Sequence, residues 1–275
     1  MWITWLGIYG RISSIIIQVS ETTGNFLIIY LHHGFFLLNS TNIAIVLTGT
    51  ITPNTNLVNN HLDPQARRNE YLAAINFYRQ FGEVYFLENS TYFLDRDPDF
   101  QDIPNVFIRK FPVSNFFDRG KGFQEFEMID AWINSEINLP DKWIKVTGRY
   151  IYQDFQKILK ECHKNTQSIT INQYLFAKWA DVALFCTTTS FYKNHLVGIY
   201  QQCDDSKGLC MEKIMNANLS NLSKASFLRF KIYLKCTGIA GSTGKVISNL
   251  WLDAINATVM RLNYLLDKRY MWISF

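Results

Sequence analysis

From about residue 42 onward, short apolar runs alternate with longer stretches whose apolar positions recur every three or four residues. Short apolar runs bounded by turn residues are typical of buried strands, and the longer spacing is typical of helices that pack on one side. The predicted strands are residues 42–47, 83–87, 106–111, 143–147, 181–186 and 230–236. The predicted helices lie within residues 64–81, 120–135, 152–163, 190–202, 211–222 and 250–266, and residues 168–176 show a mixed pattern.

This alternation predicts an α/β fold with a Rossmann-like, mostly parallel sheet and helices on both faces. Asp63 and Pro64 suit the N-cap and the first position of the helix that follows them. The chain contains no internal repeat and no Gly/Ser linker. Residues 41–275 are therefore predicted to form one domain.

Residues 1–40 differ from the rest and are predicted to form a separate apolar appendage. Residues 1–19 are largely apolar but include Arg11, and the apolar run 26–38 is short and includes His32 and His33. A spanning helix needs about twenty apolar residues, so neither run is a good candidate. Three interpretations stay open: a peripheral membrane-associating segment, extra elements packed on the domain, or residues upstream of the ancestral start.

Composition narrows the class of protein. Of 275 residues, 48% are hydrophobic and 15% aromatic, which indicates a well-filled globular core rather than a disordered chain. The formal charge of +4 comes from scattered basic residues, so we expect no nucleic-acid partner. The five cysteines show no CxxC pair, which favours reduced thiols in a cytoplasmic protein.

Polar or small residues follow most of the predicted strands. The clusters are Thr48-Gly49-Thr50, Glu88-Asn89-Ser90, Thr147-Gly148-Arg149 and Thr187-Thr188-Thr189. Each one is compatible with an ordinary turn. Ligands of open α/β sheets bind at the carboxyl ends of the strands, so four clusters expected at one edge predict a binding site there.

The segment Gly120-Lys121-Gly122 precedes a predicted helix and is a candidate anion site. Glycines allow close approach of the backbone, and a helix N-terminus presents N–H groups to an anion. The segment is not a Walker A loop, and no GxGxxG follows the first strand. Arg149 is a further candidate for phosphate because guanidinium offers a planar fork of donors.

Other candidate chemistry is weaker. Asp95, Asp97 and Asp99 have the spacing of a metal-binding DxD, but they lie in a polar loop and are interpreted as solvated, so no metal ligands are assigned. The isolated histidines and the lack of a GxSxG elbow leave little support for a hydrolase.

Five strings occur together in order: LTGTITP (47–53), DPQARRNEYLAAINFY (63–78), FLENS (86–90), GKGFQEFEMID (120–130) and KVTGRY (145–150). This set resembles a family of bacterial glycosyltransferases from capsule and lipopolysaccharide O-antigen gene clusters. GLCMEKIM (208–215) and GSTGK (241–245) are looser matches. The resemblance spans about residues 42–245 and implies a nucleotide-sugar-dependent transferase of the GT-A kind, in which residues 41–275 are the catalytic domain.

The resemblance also implies roles for particular residues. Donor-binding residues would be Thr48, Thr50 and Pro53 at the nucleotide, Glu88 and Asn89 at the base or ribose, Gly120, Lys121 and Gly122 at the diphosphate, and Thr147, Gly148 and Arg149 at the donor sugar. A general base in an inverting reaction is a carboxylate, and the candidates are Glu125, Asp130 and Glu212. No cofactor is assigned, although a divalent metal (Mg²⁺ or Mn²⁺) stays open because no convincing DxD is present.

The expected partners are a nucleotide-sugar donor and a glycan or polyprenyl-linked acceptor, with peripheral contact at the inner face of the cytoplasmic membrane. The alternatives are a small-molecule kinase or nucleotidyltransferase, and a non-catalytic, degenerate nucleotide-binding domain. Convergence of Glu88, Lys121 and Arg149 on one cleft would favour the enzyme.

Overall fold

The computed structural model of the protein describes residues 43–53, 63–222, 226–239 and 250–272. Residues 41–275 group into one compact unit. The predictions for residues 1–40 and for the string at 241–245 lie outside the described residues. Within the described ranges, no helix is both long and apolar enough to cross a membrane.

The described chain alternates strands and helices. The strands are β1 (Ile43–Gly49), β2 (Val84–Glu88), β3 (Val106–Lys110), β4 (Lys142–Thr147), β5 (Ile151–Tyr152), β6 (Ile169–Tyr174), β7 (Trp179–Thr188), β8 (Phe227–Leu228) and β9 (Cys236–Thr237). The α-helices are α1 (Pro64–Tyr78), α2 (Lys121–Ser135), α3 (Phe155–Lys164), α4 (Thr189–His195), α5 (Met211–Ser220) and α6 (Leu250–Leu266).

Seven strands form one mixed sheet in the order β3-β2-β1-β4-β7-β6-β8. The strands β1 to β4 are mutually parallel, and β6 is parallel to β8. Only β7, among the described strands of this sheet, runs antiparallel to both of its neighbours. The predicted α/β class with a mostly parallel sheet is therefore confirmed.

Both faces of the sheet are covered, as predicted. Along β1, Ala44 and Val46 belong to one buried cluster, whereas Ile43, Ile45 and Leu47 belong to the other. Helices α2, α4 and α5 complete the first cluster, and α1 and α3 complete the second. A strand buried on both faces needs a continuous apolar run rather than an alternating pattern, which explains the sequence of β1.

The start of α1 follows the predicted capping chemistry. The Asp63 carboxylate accepts hydrogen bonds from the backbone N–H groups of Gln65 at 3.1 Å and Ala66 at 3.2 Å, and Pro64 is the first helical residue. These contacts satisfy backbone donors that have no partner inside the helix. The helix therefore begins at a defined residue, and the side chains of its first turns lie at the carboxyl edge of the sheet.

Two sequence predictions are wrong. Residues 230–235 form no strand, and strand structure is confined there to β8 and β9. The cluster Thr187-Thr188-Thr189 lies at the opposite edge from the other three clusters, because β7 is antiparallel and its Thr188 pairs with Lys142 at the start of β4. An apolar strand has the same composition in either direction, so its sequence alone does not reveal this.

Candidate functional site

A cavity of about 660 Å³ opens at the carboxyl edge of the sheet, above β1 and β4. These strands are neighbours, and the sheet continues from β1 to β2 and β3 on one side and from β4 to β7 and β6 on the other. Such a reversal of strand order is the topological switch point, where open α/β sheets bind ligands. The volume falls in the range of about 300–1,000 Å³ typical of small-molecule sites.

The strand ends supply the floor of this cavity, and five further segments supply its walls. Among the described lining residues are Thr48, Gly49, Thr50 and Pro53 at the end of β1 and after it, Thr147 and Arg149 at the end of β4 and after it, Arg67 and Tyr71 of α1, Lys121, Gly122 and Glu125 of α2, Trp179 and Asp181 of β7, Asp205 of a 3₁₀ turn, and Glu212 of α5. The site therefore depends on residues that are distant in sequence and meet only in the folded protein.

One end of the cavity is cationic. The Arg67 side chain is buried and donates from Nε to the backbone oxygens of Thr50 and Ile51, both at 3.1 Å. Arg149 is also buried, and its Nη1 lies 2.8 Å from Oε2 of Glu70. Both guanidinium groups contact the ring of Tyr71, with each central carbon 5.9 Å from its centroid.

Lys121, the first residue of α2, is the third cation at this end. Burial, together with the positive charges of Arg67 and Arg149, lowers the pKa of Lys121 to about 8. The charge of Asp205 raises the pKa of Lys121. Cations placed closely enough to disfavour one another's charge are typical of sites that bind anions.

The other end is lined by carboxylates around a buried lysine. Lys145 in β4 is fully buried, and its Nζ lies 2.7 Å from Oε1 of Glu125. The same ammonium donates to Oγ1 of Thr147 at 2.9 Å and to the backbone oxygen of Val182 at 2.8 Å. The Thr48 hydroxyl also donates to Oε1 of Glu125. Glu125 is therefore held in place by a cation and a hydroxyl.

Asp181 in β7 faces this end of the cavity and differs from Glu125 in its partners. Its Oδ1 accepts the backbone N–H of Ala183 at 3.1 Å, and Oδ2 has no hydrogen-bond partner within the described part of the chain. Burial, aided by the charge of Glu212, raises the pKa of Asp181 to about 6, against the opposing effects of the Ala183 N–H and Lys145. The side chain still contacts solvent through the cavity.

Glu212 in the first turn of α5 is the third carboxylate at this end. Burial raises its pKa, and Glu125 also raises it. Carboxylates with a raised pKa are suited to accept or donate protons near neutral pH. Asp181 and Glu212 are therefore the two groups here with the properties of a general base.

Glu88 and Asn89, predicted at the nucleotide, lie behind the cavity rather than among its lining residues. Glu88 is fully buried and accepts the backbone N–H groups of Ile51 and Ser90, both at 3.0 Å. Asn89 accepts the Thr50 hydroxyl at 2.8 Å and donates to the backbone oxygen of Gln124 at 3.2 Å. Both residues join the loop after β1 to neighbouring segments.

The glycines of the predicted anion loop contact protein atoms. A Cβ at Gly120, whose φ is +106°, would lie 2.0 Å from Oδ2 of Asp205, and one at Gly122 would lie 2.7 Å from Cβ of Met211. Asp205 also accepts the Lys121 backbone N–H, so the chain's own carboxylate lies at the start of α2. Of this loop, Lys121 and Gly122 line the cavity.

Gly148 and Asp130 have identifiable structural contacts. The Gly148 backbone N–H donates to the Thr48 oxygen at 2.9 Å, and a Cβ would lie 2.6 Å from that oxygen. Asp130 is buried away from the cavity and accepts the Tyr192 hydroxyl at 2.7 Å and the Gly198 N–H at 2.6 Å. These contacts account for both residues without a ligand.

The DxD-like stretch is engaged by arginine. Arg68 lies 2.5 Å from both Asp97 and Asp99, and hydrogen bonding to it lowers the pKa of Asp97 to about 2. Among the described residues, no group of three or more His, Cys, Asp or Glu side chains is arranged to hold a metal ion. The residues present in this part of the chain do not fit the divalent metal left open above.

Of the predicted site residues, Thr48, Thr50, Pro53, Lys121, Gly122, Glu125, Thr147, Arg149 and Glu212 share the cavity. Sequence reasoning missed Arg67, Tyr71, Lys145, Asp181 and Asp205. Lys145 offered a signal, because lysine is rarely placed inside an apolar strand without a buried partner.

The fold and the cavity define an α/β protein with a combined cationic and acidic site at the switch point of its sheet. No protein-family model and no curated protein matches the sequence. Among solved structures, the galactosyltransferase LgtC in complex with donor and acceptor sugar analogs is similar with a TM-score of 0.44 and 9% identity, over 68% of this chain and 73% of that one.

The glycosyltransferase GlyE of Streptococcus pneumoniae TIGR4 is similar with a TM-score of 0.43 and 9% identity, over 69% of this chain and 45% of that one. The bifunctional WbbM gives a TM-score of 0.41 and 9% identity, over 75% of this chain and 40% of that one. The chain thus spans less than half the length of these two proteins. Likeness at this level carries no argument for a shared activity.

Proposed function

We propose that the protein is a glycosyltransferase that moves a sugar from a nucleotide-sugar donor to a glycan or lipid-linked glycan acceptor. The observation that carries the proposal is the division of one cavity into a cationic end and a carboxylate end. A nucleotide-sugar presents an anionic diphosphate beside a reactive anomeric carbon. The cations suit the diphosphate, and the carboxylates suit the removal of a proton from an acceptor hydroxyl.

In a direct displacement, the acceptor oxygen attacks the anomeric carbon while the bond from that carbon to the diphosphate oxygen breaks. The acceptor proton passes to a carboxylate, and the nucleoside diphosphate leaves with the electron pair. Arg67, Lys121 and Arg149 stabilise the negative charge that develops on the leaving group, as electrostatic catalysis requires.

We assign the proton acceptor to Asp181. Its pKa of about 6 makes it a stronger base than an ordinary aspartate while leaving it largely ionised near neutral pH. Glu125 is engaged by Lys145 and Thr48, and therefore acts as a positioning residue. Glu212 is the second candidate. Asp130 lies away from the cavity, which argues against its earlier candidacy.

The biological setting is part of the proposal and rests on the resemblance of the ordered strings. We propose that residues 41–275 form the catalytic domain, with a GT-A-type arrangement and hexosyltransferase-like activity. The setting is surface-polysaccharide synthesis, in capsule or lipopolysaccharide assembly, in the cytoplasm or peripherally at the inner face of the membrane. Residues 1–40 are an appendage to that domain.

The test begins with thermal-shift measurements against UDP-, GDP-, dTDP- and CMP-sugars, followed by assays for release of the nucleotide. Arg149→Gln should abolish the shift, whereas Arg261→Gln, the same change on the exposed side of α6, should preserve it. Melting of each unliganded variant separates lost binding from lost folding. Absence of any nucleotide-dependent shift would refute the proposal, and binding without turnover in every acceptor mixture would favour the non-catalytic alternative.

A further inference from the structure

Three cations from separate elements converge on the cavity. Arg67 comes from α1, Lys121 begins α2, and Arg149 follows β4. The guanidinium groups of both arginines contact the ring of Tyr71. Backbone contacts of Arg67 and the ion pair of Arg149 with Glu70 fix both arginines before any ligand arrives. The cluster is therefore preorganised.

The charges around the cluster leave it positive. Glu70 pairs with Arg149, and Asp205 lies beside Lys121 and accepts its backbone N–H. Within the described part of the chain, these two carboxylates and the three cations sum to one formal positive charge. Guanidinium groups bind phosphate oxygens through paired N–H donors, and an ammonium adds a compact charge. The chemistry of this end matches a diphosphate.

The carboxylates near the cluster are not arranged as metal ligands. Asp205 contacts Lys121 and fills the space beside Gly120, and Glu70 faces Arg149. The aspartates of the DxD-like stretch contact Arg68 instead. A divalent cation bound by aspartates would commonly neutralise a diphosphate. Here arginine and lysine side chains supply the positive charge instead.

We propose that Arg67, Lys121 and Arg149 bind the diphosphate of the donor directly, so that nucleotide binding requires no divalent cation. This inference rests on the proposed function and narrows its substrate class to nucleoside-diphosphate sugars. A nucleoside monophosphate sugar offers one phosphate to the same three cations and binds more weakly.

Direct binding couples the ligand to a proton. An anion beside Lys121 favours its charged form, opposing the burial and the charges of Arg67 and Arg149 that lower its pKa. The groups that face Lys121 are Arg67 of α1, Arg149 after β4 and Asp205 of the 3₁₀ turn Asp205–Lys207. Binding therefore weakens as the pH rises through about 8 and takes up a proton there.

Isothermal titration calorimetry tests the inference with UDP and GDP, each with EDTA or with added MgCl₂ or MnCl₂. We expect the Kd in EDTA to stay within about threefold of that with metal, and Lys121→Gln to weaken binding by about tenfold or more. Lys193→Gln, the same change on the exposed side of α4, should leave the Kd unaltered. Titrations in buffers of different ionisation enthalpy near pH 8 should show proton uptake that Lys121→Gln removes.

The outcomes separate this inference from the proposed function. Nucleotide binding that disappears in EDTA and returns with metal overturns the inference while leaving a nucleotide-sugar enzyme intact. Equal affinity of the wild type and Lys121→Gln, with unaltered melting, also overturns it. Inorganic pyrophosphate is the remaining probe. Binding of pyrophosphate without metal, abolished by Lys121→Gln, supports the cation cluster as a diphosphate site. If pyrophosphate binds in this way and no nucleotide-sugar binds, only the proposed function is refuted.

Discussion

Replacing Asp181 with asparagine removes the proposed proton acceptor while preserving the local structure. The amide oxygen of asparagine can still accept the Ala183 N–H that Oδ1 accepts at 3.1 Å. The side chain keeps nearly the same volume, so the cavity wall formed by β7 is retained. What changes is the ability of this position to take up a proton from the acceptor.

The structure sets the expected size of the effect. Positioned general bases contribute about 10²- to 10⁴-fold to a rate, so we expect kcat to fall by about 10³-fold. The KM for the donor should change by less than about threefold, because Asp181 lies at the carboxylate end rather than among the cations. Burial raises the pKa of Asp181 to about 6, so wild-type activity should increase as the pH rises through about 6 and the carboxylate ionises.

The assay measures release of nucleoside diphosphate from the bound donor, with acceptor or with water as the attacking group. Glu212→Gln is the matched change, a carboxylate to an amide in the same end of the cavity. We expect Glu212→Gln to retain the rise in activity, moved to lower pH because the charge of Glu212 no longer raises the pKa of Asp181, and Asp181→Asn to lose the rise. An active Asp181→Asn variant whose activity still rises with pH would refute the assignment. If Glu212→Gln alone loses both activity and its rise with pH, the role of proton acceptor belongs to Glu212.

Two further predictions concern stability. Lys145→Met should lower the free energy of unfolding by about 2–4 kcal/mol in urea denaturation, because it leaves the partly buried Glu125 without its cation, and the double change with Glu125→Gln should recover part of that loss. An equal loss in the single and double variants would contradict this. Gly120→Ala should cost about 2–4 kcal/mol through its φ of +106° and the contact with Asp205, whereas Gly208→Ala, with φ +71° and open space, should cost about 1 kcal/mol. Similar losses for both glycines would show that crowding by Asp205 contributes little.

Much of the fold follows from local patterns. The apolar run of β1 and the capping residues of α1 are properties of adjacent residues, and the structure places both elements within three residues of prediction. The antiparallel direction of β7 was not predicted, because the apolar composition of a strand does not indicate the direction in which it runs. The short connection at residues 175–178 was the available signal, since parallel strands need a much longer crossover.

The candidate site was predictable only where it follows strand ends. Thr48, Thr147 and Arg149 follow parallel strands and meet at one edge, as the topology requires. Arg67 reaches the same cavity from the side of a helix, and Asp181 reaches it from the beginning of an antiparallel strand. Nothing near them in sequence marks those positions, because their role depends on packing between distant segments.

The cavity brings together Thr48 in β1 and Glu212 in α5, a helix that comes after β7 in the chain. Contacts between residues so far apart in sequence require loop closure before they form, and the cost of closure grows slowly with the length of the loop. A chain emerging from the ribosome can complete β1 to β4 and still lack Asp181 and Glu212. The cations Arg67, Lys121 and Arg149 are therefore synthesised before these two carboxylates, and a chain that ends before β7 lacks the carboxylate end of the cavity.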